Sequence, residues 1–272
     1  MQDFEKGQIL LIVVLVMVTA LTIALSVAAR TITNTRSSQD AASSEQAFSA
    51  AEAGIEKSLT SNTTTSGSFP NKASYSTTFI NVGGTEFALN NGLPVLKDEP
   101  ADLWLSTQPG YTAQRTGNVT IYWGNATDAC SANEANNQRA ALEIIVFSGT
   151  LAAPQEKRYA VDPCPSRAIV NNFQAAGPGG TIAGNVYGFS FPLDGGNAVN
   201  SGLFIRIIPL YAPTNIAARG CDRGDANCTP LPVQGTLIQS VGSVANTERK
   251  IQTYRFYAQL PADILQYSYF VP

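Results

Sequence analysis

Apolar and polar positions fall into three regimes along the chain. Residues 9–29, ILLIVVLVMVTALTIALSVAA, run for 21 positions without a charge, a glycine or a proline. At ~1.5 Å per residue this helix is ~32 Å long, the thickness of a bilayer's hydrocarbon layer. It is apolar on every face, which argues against the core helix of a soluble domain. Thr19, Thr22 and Ser26 fit such a helix because a hydroxyl can bond a carbonyl one turn back. Residues 30–59 have no proline and a single glycine, Gly54, and are rich in Ala, Ser, Gln and Glu. Ala41, Phe48, Ala51, Ile55 and Leu59 recur at steps of seven, three, four and four, which places them on one helical face. Gln39, Ser43, Gln46 and Lys57 lie opposite. The pattern predicts one continuous helix over residues 8–59, ~78 Å long. Its first half spans a membrane at 9–29 and its amphipathic second half packs on a further surface through Phe48, Ala51, Gly54, Ile55 and Leu59. Gly54 costs ~1 kcal/mol against Ala in a helix, so it marks either close packing there or the helix end.

The third regime begins at the polar stretch 60–68, TSNTTTSGS, which stops the helix. Residues 60–118 read as a polar linker and irregular region, and residues 119–272 as a β-rich head. Strand-like runs recur at 119–123, 142–147, 158–161, 186–191, 203–210, 236–241 and 250–257, separated by Gly, Pro and Asn clusters. In the last run Ile251, Thr253, Arg255 and Tyr257 alternate with Gln252, Tyr254, Phe256 and Ala258. Residues 244–249 supply a turn, so the final two runs form an antiparallel hairpin. The fold class expected is α+β: a long amino-terminal helix, half transmembrane and half amphipathic, packed on an antiparallel β-sheet head.

Composition sharpens this picture by exclusion. The 272 residues include no histidine, which removes the Ser-His-Asp triad, the Cys-His pair and histidine metal sites together. No paired carboxylates, activated nucleophile or ligand cluster stands out, so no enzyme, cofactor or metal is expected. With 17 basic against 20 acidic residues, there is no surplus of positive charge for a nucleic-acid site. A charged fraction of 14% is below the ~25% of average soluble domains. The mean hydropathy of about zero averages a very apolar span with an Asn/Ser/Thr-rich remainder.

Four cysteines, Cys130, Cys164, Cys221 and Cys228, are too far apart for two C-x2–4-C zinc pairs. An even count beside a membrane segment favours disulfides on the exported side. Three pairings are open. The preferred one closes a short loop with Cys221–Cys228 and ties adjacent strands with Cys130–Cys164; unpaired buried thiols are the alternative. Between Cys221 and Cys228 stands Asp222-Arg223-Gly224-Asp225-Ala226-Asn227. An Arg-Gly-Asp adhesion tripeptide and a calcium site from Asp222, Asp225 and Asn227 are both weaker readings than a plain polar turn, since the spacing lacks the D-x-D-x-D-G order.

The apolar segment has three possible fates: a cleaved secretory signal ending near Ser26-Val27-Ala28, a permanent anchor, or a segment both processed and kept. The amino-terminal residues bear on this choice. A short polar leader ends in Lys6-Gly7, the apolar helix follows at once, and Gln46-Ala47-Phe48-Ser49-Ala50-Ala51-Glu52-Ala53-Gly54-Ile55-Glu56 comes after it. These residues resemble the amino-terminal part of type IV pilin-like proteins, specifically PilX-type minor pilins with their A-F-x-A-A-E-A-G segment. The resemblance covers residues 1–59. It implies a leader over 1–7, cleavage after Gly7 by a prepilin peptidase, and a new, N-methylated terminus at Gln8. It also implies as partners other pilin subunits, membrane lipid and an inner-membrane pilus assembly machinery. The chain would rest as a single-pass cell-membrane protein and then enter an extracellular fibre. Family members usually begin the mature chain with Phe or Met, and this one would begin with Gln8. Major subunits usually carry a glutamate four residues further on, where Ile12 stands here, which favours a minor, tip-proximal subunit. The function implied is that of a structural and assembly subunit of a type IV pilus-like fibre. The alternative is a membrane-anchored surface adhesin or ligand-binding protein whose helix is only an anchor.

Overall fold

In the computed structural model the described residues are 4–108, 110–128, 130, 139–221 and 228–257, with side chains from residue 10 onward. The long helix α1 covers Phe4–Ser61, 58 residues and ~87 Å at 1.5 Å per residue. It therefore starts before Gln8 and runs unbroken through residues 4–7 of the expected leader. No proline interrupts this stretch, and the single Gly7 costs only ~1 kcal/mol. At the other end Ser58 Oγ donates to the Thr63 carbonyl at 2.6 Å, and Asn62 takes the left-handed conformation, φ 52°, that commonly ends a helix.

Fifteen strands follow among the described residues: β1 (Ser66–Ser68), β2 (Ser74–Gly84), β3 (Glu86–Ala88), β4 (Ala101–Trp104), β5 (Arg115–Gly117), β6 (Val119–Asn125), β7 (Ala141–Thr150), β8 (Ala153–Asp162), β9 (Gln174–Ala175), β10 (Gly177–Ile182), β11 (Asn185–Leu193), β12 (Val199–Leu210), β13 (Ile216–Arg219), β14 (Leu231–Val244) and β15 (Thr247–Phe256). A short helix, α2 (Pro165–Asn171), lies between β8 and β9. The fold is α+β. Six of the seven strand-like runs of the sequence fall within strands, namely β6, β7, β8, β11, β12 and β14, and the seventh, 250–257, overruns β15 by one residue. The segment 60–118, expected to be polar linker and irregular, instead holds β1 to β5. Its longest strand, β2, mixes Ser, Thr and Gly with Tyr75, Phe79, Ile80 and Val82, and only Thr77 is buried, so no apolar face alternates along it to reveal it.

The chain divides into two compact units, residues 1–79 with 238–253 and residues 80–237 with 254–272. The first holds α1, β1, the start of β2 and the β14–β15 hairpin tip, in the sheet order β1-β2-β14-β15. The hairpin turns in two residues, Ala245 and Asn246, with Ala245 at φ 51°, tighter than the expected 244–249. The region after the helix is fixed by hydroxyls: Thr77 Oγ1 accepts from Thr65 N at 2.7 Å and donates to the Thr65 carbonyl at 2.9 Å.

The second unit contains a sheet in the order β10-β11-β6-β13-β3 and another in the order β4-β12-β7-β8-β9, with β5 also on β12. Alternate residues of each meet in one core. Val119, Ile121 and Trp123 of β6 and Ile216 and Ala218 of β13 join Leu142, Ile144 and Val146 of β7 and Ile205 and Ile207 of β12. The other faces of β7 and β12 are covered too, where Ile145, Phe147, Phe204 and Ile208 gather with Trp104. Strands buried on both faces read as unbroken apolar runs. Asp102 and Arg206 face each other across β4 and β12, both fully buried. They make two hydrogen bonds of 2.8 and 2.9 Å. Removing one partner leaves a charge stranded in the sheet, so Asp102→Ala is expected to cost roughly 3–5 kcal/mol, read as a lowered denaturation midpoint. Unchanged stability would show that the pair does not hold β4.

Candidate assembly helix

Two chemistries succeed one another along α1. From residue 10 to residue 42 every position is exposed. The large apolar side chains between Leu10 and Val27 are 46–68% exposed. So much apolar surface calls for lipid or other helices around it. Among the described residues α1 is the single helix long and apolar enough to cross a membrane; it fits an anchor or a signal, and the disulfides described below fit an exported protein. Both threonines inside the span are satisfied locally: Thr19 Oγ1 donates to the Leu15 and Val16 carbonyls at 3.0 and 2.9 Å, and Thr22 Oγ1 to the Thr19 carbonyl at 2.8 Å. Gly7 and Gln8, the expected processing pair, fall in the helical backbone, and the Gln8 side chain lies outside the described residues.

Beyond residue 42 the helix is seated on its own sheet, and by small residues. Ala47, Ala50, Ala51, Gly54 and Ser58 are buried, at helical steps of three, one, three and four. Ala47 and Ala50 cluster with Ala73 and Val244. The expected face is thus corrected in part. Ala51 and Gly54 do pack inward, Ile55 and Leu59 are half-buried, and Ala41 and Phe48 are exposed, Phe48 by 47%. The seat is rotated away from the large apolar side chains towards the alanines.

Contact geometry explains the rotation. A methyl group added to Gly242 of β14 would stand 1.9 Å from the Ala47 carbonyl oxygen and 2.5 Å from the Ala51 nitrogen. One added to Gly54 would stand 2.4 Å from Ser240 Oγ, 2.9 Å from Tyr75 Cδ2 and 3.0 Å from Thr77 Cγ2. Strand and helix backbones meet directly, as small residues allow. No leucine or phenylalanine fits between them. Polar contacts flank the seat: Arg249 Nε donates to Ser44 Oγ at 2.8 Å, and Ser74 and Ser243 hydroxyls are 2.9 Å apart. To one side a groove of about 680 Å³ opens between Glu45, Ser49 and Ala53 of α1 and the Phe69–Pro70 corner.

The remaining sequence candidates lie in the second unit and form no catalytic array. Cys130 pairs with Cys164, and Cys221 with Cys228. The first bond was expected to tie adjacent strands; it joins the loop after β6 to the N-cap of α2. There Asp162, almost fully buried, accepts from Arg167 Nε and Nη2 at 2.6 and 2.9 Å and from Cys164 N at 2.9 Å. The second bond closes the loop after β13. Arg115 holds its neck by donating to the Thr229, Pro230 and Gly220 carbonyls at 2.8, 2.9 and 3.1 Å. The Arg-Gly-Asp tripeptide and the other residues 222–227 lie outside the described residues. Among the described residues no three His, Cys, Asp or Glu side chains gather as metal ligands. Hydrogen bonding to Glu156 raises the Arg158 pKa on an exposed strand surface, and burial raises that of the Tyr187 phenol. Neither adjoins a nucleophile that it would activate. Comparison of the chain with protein-family models, with curated proteins and with solved structures returns no match.

The seat predicts opposite outcomes for neighbouring substitutions. Gly242→Ala forces backbone apart from backbone and is expected to cost at least about 2–3 kcal/mol, the upper range for overpacking. Phe48→Ala, on the outward face, is expected to stay within about 0.5 kcal/mol of the unaltered chain. Thermal unfolding of the full chain in detergent micelles measures both; equal effects would place Phe48 in the seat and refute the assignment.

Proposed function

We propose that the chain is a structural and assembly subunit, of the minor pilin type, in a type IV pilus-like fibre, and that it is not an enzyme. The observation that carries this reading is the division of labour along α1. Its first 33 described side chains, residues 10–42, are exposed and suit lipid first and neighbouring helices later. Its last turns are locked to the sheet of the same unit. A helix built this way transmits position from a membrane or fibre core to a folded unit without a tether. An anchor for a surface adhesin or ligand-binding protein needs only the span, and usually a flexible connection after it.

The A-F-x-A-A-E-A-G segment acquires a physical role on this reading. Ala47, Ala50, Ala51 and Gly54 are the inward set, and Phe48 and Glu52 point outward. The inward residues fit the chain's own sheet, leaving the outward ones for partners. Under the same proposal a prepilin peptidase cuts after Gly7, the new terminus at Gln8 is methylated, and an inner-membrane assembly machinery extracts the helix. Loss of lipid contacts is then offset by contacts with other subunits' helices. The chain passes from a single-pass membrane protein to an extracellular fibre.

Mass spectrometry of the amino terminus tests the reading. A methylated terminus at Gln8 is the expected result. An intact Met1 would favour the anchored adhesin or ligand-binding protein, and a terminus near Ala29 would remove the membrane-length span and sink both.

A further inference from the structure

A cut after Gly7 makes a glutamine, Gln8, the first residue of the chain. α1 runs unbroken across that junction, from Phe4 to Ser61. Removal of residues 4–7 therefore takes away the carbonyls that the amides of residues 8–11 bond in an α-helix. What is left is a bare helix N-terminus with a charged α-amine on it. The helix dipole already makes that end positive, so a cation there is unfavourable.

Nothing along the neighbouring helix answers the charge. After Gln8 the first charged residue is Arg30 and the first acidic one is Asp40, ~48 Å along the axis. Leu10, Leu11 and Ile12 are 67, 68 and 54% exposed, so surface that calls for apolar surroundings begins within a turn of the terminus. A charge in such surroundings is costly without a partner. Lipid headgroups can supply one while the helix rests in a membrane. A core built of helices like this one cannot, because residues 9–39 hold no carboxylate.

We propose that the mature terminus closes on itself as a pyroglutamyl ring and so becomes uncharged. The inference rests on the fibre reading, which places the cut after Gly7. The α-nitrogen of Gln8, in its uncharged form, attacks the Cδ carbonyl carbon of its own side chain. The N–Cδ bond forms, the Cδ–Nε2 bond breaks, and Nε2 leaves as ammonia with the proton from the α-nitrogen. No oxidant, reductant or co-reactant is consumed. A singly methylated α-nitrogen still carries one proton in its uncharged form and closes in the same way. The product lacks the terminal charge, as an acetylated terminus does. Its methylated ring nitrogen also has no N–H, which removes one donor that apolar surroundings would leave unpaired. Ring size singles out glutamine: asparagine would have to close a strained four-membered ring. The missing carboxylate over residues 9–39 is then consistent, since a terminus without charge needs none.

The test uses the full chain made in cells that process it, with membrane and sheared-fibre fractions kept apart. Free amines are capped with deuterated formaldehyde and cyanoborohydride at neutral pH as soon as each fraction is solubilised. Linear termini, methylated or not, are thereby trapped before any later closure. Trypsin then releases the terminal peptide ending at Arg30 for mass spectrometry. The expected peptide starts at Gln8, is lighter by one ammonia than its linear methylated form, and carries no deuterium. Gln8→Asn, cut at the same junction, is expected to give a linear terminus that takes the label. A labelled Gln8 terminus of full mass in the unaltered chain overturns the ring and leaves the fibre reading standing, whatever the variant does. A terminus at Met1 or near Ala29 overturns both.

Discussion

Backbone-to-backbone contact between Ala47 and Ala51 of α1 and Gly242 of β14 is the constraint from which the first unit follows. At such separations a side chain larger than a methyl has nowhere to go, and at Gly54 and Gly242 not even a methyl fits. The helix must therefore present Ala, Ala, Ala, Gly and Ser on one side. Its larger apolar residues are displaced to the flanks or to the solvent face, where Phe48 stands. Burial of alanines contributes little hydrophobic free energy per residue. The seat is held by close packing over several turns and by hydroxyl and guanidinium contacts at its edges, those of Ser44 with Arg249 and of Ser74 with Ser243. A rigid junction of this kind makes the apolar half of the helix an extension of the unit rather than a loose tail.

The second unit is governed by a different balance. Its two sheets share an apolar core of the ordinary kind, and β7 and β12 are covered on both faces. Within that dry sheet stands the Asp102–Arg206 pair, which owes its place to matched register and doubled hydrogen bonds and not to net stabilisation. Arginines recur as pins: Arg115 gathers backbone carbonyls at the neck of one disulfide loop, and Arg167 meets Asp162 beside the other. A low overall charge is compatible with this use, since several of the charged residues present are internal.

How far the molecule was legible in its sequence depends on how each element is stabilised. The membrane-length run and the strands β6, β7 and β12 announced themselves because water exclusion from large apolar side chains sets their pattern. The strand β2 stayed hidden because its apolar residues are not buried on one alternating face and hydroxyl bonds such as Thr65 to Thr77 hold it. The helical seat was legible in position but not in orientation. Hydrophobic periodicity points to Phe48, Ile55 and Leu59, whereas closeness of approach selects Ala47, Ala50, Ala51 and Gly54. The glycine itself was the available signal: a residue that weakens a helix is retained where a neighbour's atoms occupy the space of its side chain. The helix begins at Phe4 and not at Gln8, since residues 4–8 hold no proline that would mark a start.

The central claim is that α1 is seated by its small residues with its large ones outward. Single cysteines placed in turn at Ala47, Phe48, Ser49, Ala50, Ala51 and Glu52 of the full chain, followed by thiol labelling under native conditions, test it most directly. Fast labelling at Phe48, Ser49 and Glu52, with strong protection at Ala47, Ala50 and Ala51, is the pattern the account predicts. Uniform labelling across all six positions, or protection centred on Phe48, would contradict it.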